Sequence, residues 1–400
     1  MNRSIDDIRQ ESIPFARPSI GREEEEAVLD VLRSGWLTTA GQTTAFEKEF
    51  AAYTGASHAM AVNSATAGLH LALEALGTGP GDRVITTPYT FTSSAEVIRY
   101  LGADPVFVDI DRDSLTIDPD GIEQEFRQDP NIRAVIPVHL GGCPCRMDRI
   151  MGIAHQYGAS VVEDAAHAFP VRTSEGFIGC IGDIGVYSFY ATKTITTGEG
   201  GMVVTEDPEI ARRIGVMRLH GIDREVWKRY TAQKASWRYD VVEAGYKYNL
   251  PDMAAAIGRV QLRKADDFLH RRQQIARRYT DAFEGYSFLR LPGYTDEHAW
   301  HLYVLQLRLD RLNIDRDCFI EQLQEMGIGA SVHYIPLHIM SYYRERYGYQ
   351  PQDFPVSMDV FESAVSLPIY PDLNDTQVRR IIDSVIAVGS AACRRTSGDR

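Results

Sequence analysis

Between residues 59 and 163 the chain alternates short apolar runs with helical stretches, and this constrains its fold more than any other feature. Ala59-Met-Ala-Val62, Arg83-Val-Ile-Thr86, Pro105-Val-Phe-Val108, Ala134-Val-Ile-Pro-Val138 and Ser160-Val-Val-Glu163 read as strands. Their continuous apolar character is that of strands covered on both faces. Residues 69–76, 93–101 and 150–157 read as helices between them, and residues 45–58 as a further one with Phe46, Phe50 and Tyr53 at i, i+4 and i+7. The pattern predicts an α/β fold with a mostly parallel sheet flanked by helices. On such a sheet ligands bind beyond the carboxyl ends of the strands. The polar residues that follow the strands are therefore the candidates for a site.

Past residue 260 the pattern changes. Residues 260–283 read as one long basic helix, 300–309 as a strand and 318–326 as a helix before the turn Gly327-Ile-Gly329. The expected organisation is a large domain over 14–262 and a small α+β domain over 263–390, with flexible tails at 1–13 and 391–400. A length of 400 residues suits such a pair. The net charge of −13 argues against nucleic acid as a partner, which needs a basic footprint. No apolar run approaches the roughly 18 residues of a membrane span, and residues 1–11 carry no secretory signal, so a cytoplasmic protein is expected. Among five cysteines only Cys143-Pro-Cys145 are close, and not at CxxC spacing; reduced thiols and no metal site are expected.

Three polar segments carry chemistry. Asn63-Ser-Ala-Thr-Ala-Gly68 lies at a strand-to-helix junction, where exposed amides and small side chains suit a phosphate, although a plain N-cap would look the same. Asp164, just past the strand in Val161-Val-Glu-Asp-Ala-Ala-His-Ala168, could hold a proton on a pyridine ring or cap a helix. His167 reads equally as a packed core residue. In the third segment, Val186-Tyr-Ser-Phe-Tyr-Ala-Thr-Lys-Thr-Ile-Thr-Thr-Gly-Glu-Gly-Gly201, Lys193 lies among small polar residues, where desolvation would free its amine for a Schiff base. Ser188 could bond a phosphate, and Gly198, Gly200 and Gly201 would let the backbone pass close to a cofactor.

These segments, with Ser34-Gly-Trp-Leu-Thr-Thr39 and Gly245-Tyr-Lys-Tyr-Asn249, resemble sugar-nucleotide aminotransferases of the DegT/DnrJ/StrS type over nearly the whole chain. The resemblance implies the aspartate-aminotransferase-like fold (fold type I), with pyridoxal 5′-phosphate (PLP) as cofactor. Glu163 to His167 and His298-Ala-Trp-His-Leu-Tyr303 look most like the subgroup making UDP-4-amino-4-deoxy-L-arabinose. By resemblance Lys193 carries the cofactor and shuttles the proton. Asp164 pairs with the ring nitrogen, and His167 stands beside the 3′ oxygen, where many relatives carry Gln. Phe91 stacks on the ring, with Tyr89 as the fallback, and Thr66, Ala67 and Ser188 hold the phosphate. Asn249 reaches the phosphate of a neighbouring subunit, which implies a homodimer with shared sites. Glutamate is the implied donor and a 4-keto sugar nucleotide the acceptor, with His220, Lys247, His333 and His338 as candidate substrate contacts.

Three other readings compete. A 3-keto sugar nucleotide could be the acceptor. Related 3-dehydratases have a histidine in place of the lysine, whereas Lys193 is present here. A non-catalytic regulator of this fold would be expected to have lost the lysine, the aspartate or the phosphate turn, and all three are intact.

Overall fold

Successive residues of a strand point to opposite faces, and here both faces are buried. Val84, Ala134 and Val162 enter the core on one side of the sheet, while their neighbours Ile85, Val135 and Val161 enter the core on the other. A computed structural model describes residues 12–223 and 239–394. Its main sheet contains β1 (His58–Val62), β2 (Arg83–Thr86), β3 (Asp104–Phe107), β4 (Ile132–Val135), β5 (Ser160–Asp164), β8 (Ile184–Ser188) and β9 (Gly201–Thr205). The strand order is β1-β9-β8-β5-β4-β2-β3. Strands β3, β2, β4, β5 and β8 are mutually parallel, and β9 runs antiparallel to both of its neighbours. A hairpin of β6 (Arg172–Thr173) and β7 (Gly176–Phe177) leads from β5 to β8.

Helices cover both faces, as the alternation predicts. Helices α3 (Ala65–Ala75), α4 (Ser93–Tyr100) and α7 (Pro208–Met217) pack on one side through Leu69, Val97 and Ile214. On the other side lie α2 (Gly41–Thr54), α5 (Pro119–Gln128) and α6 (Met147–Gln156), and α1 (Arg22–Ser34) precedes them in the chain. Helix α3 begins four residues earlier than the sequence suggests. Ser64 caps it, accepting from the Ala67 amide, and Gly68 lets it lie on the sheet. A Cβ at Gly68 would fall 2.7 Å from Val186 Cγ1.

The long helix expected over 260–283 is two helices, α8 (Asp252–Arg263) and α9 (Ala265–Phe283), with Lys264 between them. The reason lies in their destinations. Leu262 and Ala265 serve the large-sheet core, whereas Ile275, Tyr279 and Phe283 serve a second core. Lys264 is held at the junction by ion pairs to Glu23 and Glu24 of α1. The second core lies against an antiparallel sheet of β10 (Leu289–Arg290), β11 (Tyr303–Leu307) and β12 (Ala364–Leu367). Helices α10 (Arg316–Glu325), α11 (Ser341–Tyr347), α12 (Pro355–Ser363) and α13 (Asp375–Ala392) complete this part.

The expected tails need correction where they are described. Ile13 is buried in the second core and bridges Ile328, and α13 continues to Ala392, after which Cys393 bridges Leu312. Residues 1–11 and 395–400 lie outside the described residues. Among the described residues no helix is long and apolar enough to cross a membrane.

Candidate active site

The carboxyl end of β5 delivers Asp164 to a cavity of about 540 Å³, walled by the ends of main-sheet strands and by segments beside the second sheet, among them His301, Leu302 and Ile369. Asp164 is buried. Ser94 Oγ, from α4, donates to its Oδ2 (2.8 Å), and the Ala166 amide donates to Oδ1 (3.2 Å). Burial raises the carboxyl's pKa, while these two donors and the charge of Lys193 oppose the rise. The preceding residue fixes the strand end from behind. Glu163 accepts from the amides of Gly179, Ile181 and Gly182 and from His139 Nε2 (3.0 Å).

Lys193 follows β8 in the Ser/Thr/Gly segment and lines the same cavity. The enclosing protein lowers its pKa to about 8, with Asp164 opposing. About a tenth of the amine is therefore unprotonated at pH 7, far more than for an ordinary lysine. Ser188, at the end of β8, and Ser64, Ala65 and Thr66, at the start of α3, line another part of the wall. Helix amides and hydroxyls there suit a phosphate. Gly201 makes this corner possible: β9 runs so close to α3 that a Cβ would lie 2.8 Å from the Ala65 nitrogen. The glycine thus serves backbone against backbone rather than backbone against cofactor, as the sequence suggested.

His167 is buried in the cavity wall with its ring fixed at both nitrogens. The Gly141 amide donates to Nδ1 (3.1 Å), so Nε2 carries the proton and faces Tyr334 Oη (3.3 Å). Burial, with the charge of Lys193, holds its pKa well below the usual value, so the ring is neutral. Phe91 lines the cavity and is 56% exposed, as a residue presenting a free face should be. Tyr89 is fully buried and donates to the His333 carbonyl (2.7 Å), which removes it as a stacking partner. His333 lines the cavity, bonded through Nδ1 to Ser366 Oγ (2.9 Å) and stacked on Phe15 (5.1 Å).

The remaining candidates lie elsewhere in this chain. Ala67 is off the cavity wall and its amide already donates to Ser64 Oγ (3.1 Å), whereas Ser64 itself lines the wall. His338 is buried against Phe354 (4.8 Å), away from the cavity, in an aromatic cluster the sequence did not reveal. His220 is exposed on a turn at φ 62. Lys247 bonds Asn249 Oδ1, and Asn249 Nδ2 donates to Thr39 Oγ1 (2.6 Å); this trio does not line this chain's cavity. Sequence reasoning missed Ser64, Phe15, His301 and Tyr334 as wall residues. His301 lies inside a segment already noted for its resemblance. Phe15 and Tyr334 reach the wall only through tertiary packing.

The residues fit PLP. A buried, donor-stabilised carboxylate suits the ring nitrogen, a desolvated lysine the aldehyde, and a capped helix start with Ser188 the phosphate. This site on a mostly parallel sheet flanked by helices defines a fold type I PLP-dependent aminotransferase. More particularly, the chain belongs to the DegT/DnrJ/EryC1/StrS aminotransferase family, which matches residues 18–386. It is similar to the spore coat polysaccharide biosynthesis protein SpsC of Bacillus subtilis (strain 168), 47% identical over 380 residues, 94% of this chain and 97% of SpsC. Its structure is similar to the putative sugar aminotransferase Spr1654 from Streptococcus pneumoniae, solved in PMP and PLP forms. The PMP form superposes with a TM-score of 0.88 at 33% identity, covering 95% of this chain and 99% of Spr1654. Helicobacter pylori PseC, an aminotransferase involved in pseudoaminic acid biosynthesis, superposes with a TM-score of 0.87 at 27% identity, covering 95% of this chain and all of PseC. The protein is a PLP-dependent sugar aminotransferase.

Proposed function

We propose that the enzyme moves the amino group of glutamate to the ketone of a 4-keto sugar nucleotide, working as a cytoplasmic homodimer with shared sites. The observation that carries the reading is the meeting of Lys193, Asp164, Ser188 and Thr66 on one cavity. PLP, when bound, supplies the electron sink that lets a proton leave the substrate carbon. Lys193 Nζ takes that proton and returns it, a task suited to an amine whose pKa lies near the working pH. Asp164 holds the proton of the ring nitrogen, oriented by Ser94 and the Ala166 amide. His167 offers Nε2–H as a neutral donor beside Tyr334. Ser64, Thr66 and Ser188 bind the phosphate, and Phe91 covers the ring face. His333 is the candidate sugar contact on the cavity wall.

The choice of a 4-keto sugar nucleotide rests on the resemblance carried by Glu163–His167 and His298–Tyr303. The shared site rests on the resemblance and on the placement of Asn249 and Lys247 outside this chain's cavity. Assaying the holoenzyme with glutamate against a panel of 4-keto and 3-keto sugar nucleotides tests the proposal. A 4-amino sugar nucleotide is the expected product. Amination of 3-keto substrates alone would move the site of reaction, and amination of simple 2-oxo acids alone would remove the sugar nucleotide from the reading.

A further inference from the structure

Behind the cavity wall stands a cation that no step above uses. Arg272, on α9, is 2% exposed, and among the described residues no carboxylate lies within ion-pair distance of it. Its Nη1 donates to the carbonyls of Trp300 (3.2 Å) and Ile369 (2.8 Å), and its Nε has no partner. Carbonyl dipoles orient a guanidinium but leave its charge uncancelled. Burial lowers its pKa to about 10, so it stays charged at neutral pH.

The carbonyls it binds belong to the wall itself. Ile369 lines the cavity, and Trp300 is followed directly by His301, which also lines it. His301 is 7% exposed, and its Nδ1 is buried without a partner. Its ring lies 4.4 Å from that of His167. Burying an unpartnered polar atom is costly, and an uncancelled buried charge is costlier still. Two such groups backing one wall need an explanation beyond packing.

We propose that the wall formed by His301 and Ile369, backed by Arg272, is the subsite for the α-carboxylate of the amino donor. Arg272 supplies the field and His301, kept neutral by burial and by the neighbouring charges, supplies a hydrogen bond. The position favours a carboxylate over the diphosphate of a nucleotide. His301 neighbours His167 on the cavity that holds Lys193, and an α-carboxylate is one bond from the carbon whose amino group moves. A diphosphate is separated from the keto carbon by several bonds of the sugar. The subsite rests on the reading that the donor is an α-amino acid.

The test follows the donor half alone, by the change in the cofactor's absorbance when amino acid is added to the holoenzyme without sugar. His301→Gln, His301→Ala and Arg272→Met should each raise the glutamate concentration for half-conversion at least tenfold. The KM for keto sugar in the second half should change less than twofold. Wild type should also prefer glutamate to 4-aminobutanoate, which lacks the α-carboxylate, and the His301 variants should lose most of that preference. Equal losses with both amines, or a defect confined to the sugar half, would overturn the subsite. His301→Gln keeps the experiment decisive where Arg272→Met fails to fold. Should wild type respond to another α-amino acid instead, glutamate fails as donor, and the same comparison with that amino acid and its decarboxylated amine still decides the subsite.

Discussion

The backbone amide of Gly141 donates to Nδ1 of His167 at 3.1 Å, and this one bond decides what His167 can do. With Nδ1 accepting, the proton sits on Nε2, and burial keeps the ring from taking a second one. His167 is thus a neutral donor, which is also what a glutamine amide offers. His167→Gln should retain most of the activity, and His167→Phe should lose about tenfold, the worth of one hydrogen bond. Because a depressed pKa leaves the ring uncharged across neutral pH, the acid limb of kcat against pH should coincide in wild type and His167→Gln. A limb near pH 6.5 that vanishes in the glutamine variant would contradict the assignment.

Lys193 makes the opposite use of burial. A pKa of about 8 means the neutral fraction of its amine rises nearly tenfold per pH unit below 8 and levels off above it. The rate at which apoenzyme captures PLP should follow that curve, measured by stopped-flow absorbance between pH 6 and 10. An ordinary lysine would keep accelerating to pH 10. For stability the sign is set by the lowered folded pKa: the unfolded chain binds the extra proton between about 8 and 10.5, so this group makes the apoprotein more stable as pH rises through that window. Lys193→Ala should flatten both dependences and yield a protein without the covalent cofactor band.

Asp164 carries a cost in the apoprotein that the cofactor offsets. Burial raises its pKa despite the Ser94 and Ala166 donors, so the carboxylate opposes folding once pH exceeds the unfolded value near 4. Asp164→Asn should raise the Tm of the apoprotein at pH 7 and yet remove most of the Tm gain on adding PLP. Activity should fall on the order of 10²–10³-fold, as when a fixed electrostatic partner of the reacting group is lost. Ser94→Ala should act in the same direction with a smaller loss. Calorimetry with and without PLP checks the crossing of the two effects, and a parallel drop in both Tm values would contradict it.

The legible part of this fold was the part with a local signature. Strand β2 matched its expected bounds because Val84 and Ile85 are both apolar and Gly81 and Pro88 bracket them. Lys193, Asp164 and Ser188 were legible as cavity residues because each stands at or past the carboxyl end of a strand, where the chain turns to small or polar residues. The break at Lys264 was hidden, since the helical period continues through it and only the choice between two cores reveals it. His338 misled because a histidine's type says nothing of its neighbours; packing against Phe354 placed it in an aromatic cluster instead. His301 and Arg272 escaped notice for the same reason, as their meaning lies in what surrounds them rather than in a motif.

Packing behind the site gives a stability prediction independent of chemistry. Phe50 is fully buried and meets Phe46, Phe169, Tyr187 and Phe189 with ring centroids 5.0–6.1 Å apart. Phe169 and Phe189 flank the Asp164 and Lys193 segments. Phe50→Ala should cost about 3–5 kcal/mol of stability. It should also weaken PLP binding although it touches no site group, and Phe50→Leu should recover most of both. Chemical denaturation of the apoprotein and PLP titration measure the two effects, and a variant destabilised with unchanged PLP affinity would separate this core from the site.

Asn249 offers the sharpest test of a shared site. Its side chain is held between Lys247 and Thr39, off the cavity that holds Lys193 of the same chain. If it completes the phosphate site of a partner, Asn249→Ala should weaken PLP binding about tenfold, as loss of a hydrogen bond to a charged group does. A heterodimer of one Lys193→Ala chain and one Asn249→Ala chain then holds one site with both defects and one with neither. Assayed at limiting PLP, differently tagged and purified heterodimers should show about half the activity of wild type, above either parent homodimer. Were Asn249 to act within its own chain, the only lysine in the heterodimer would sit in a defective site, and activity would not exceed the mean of the parents.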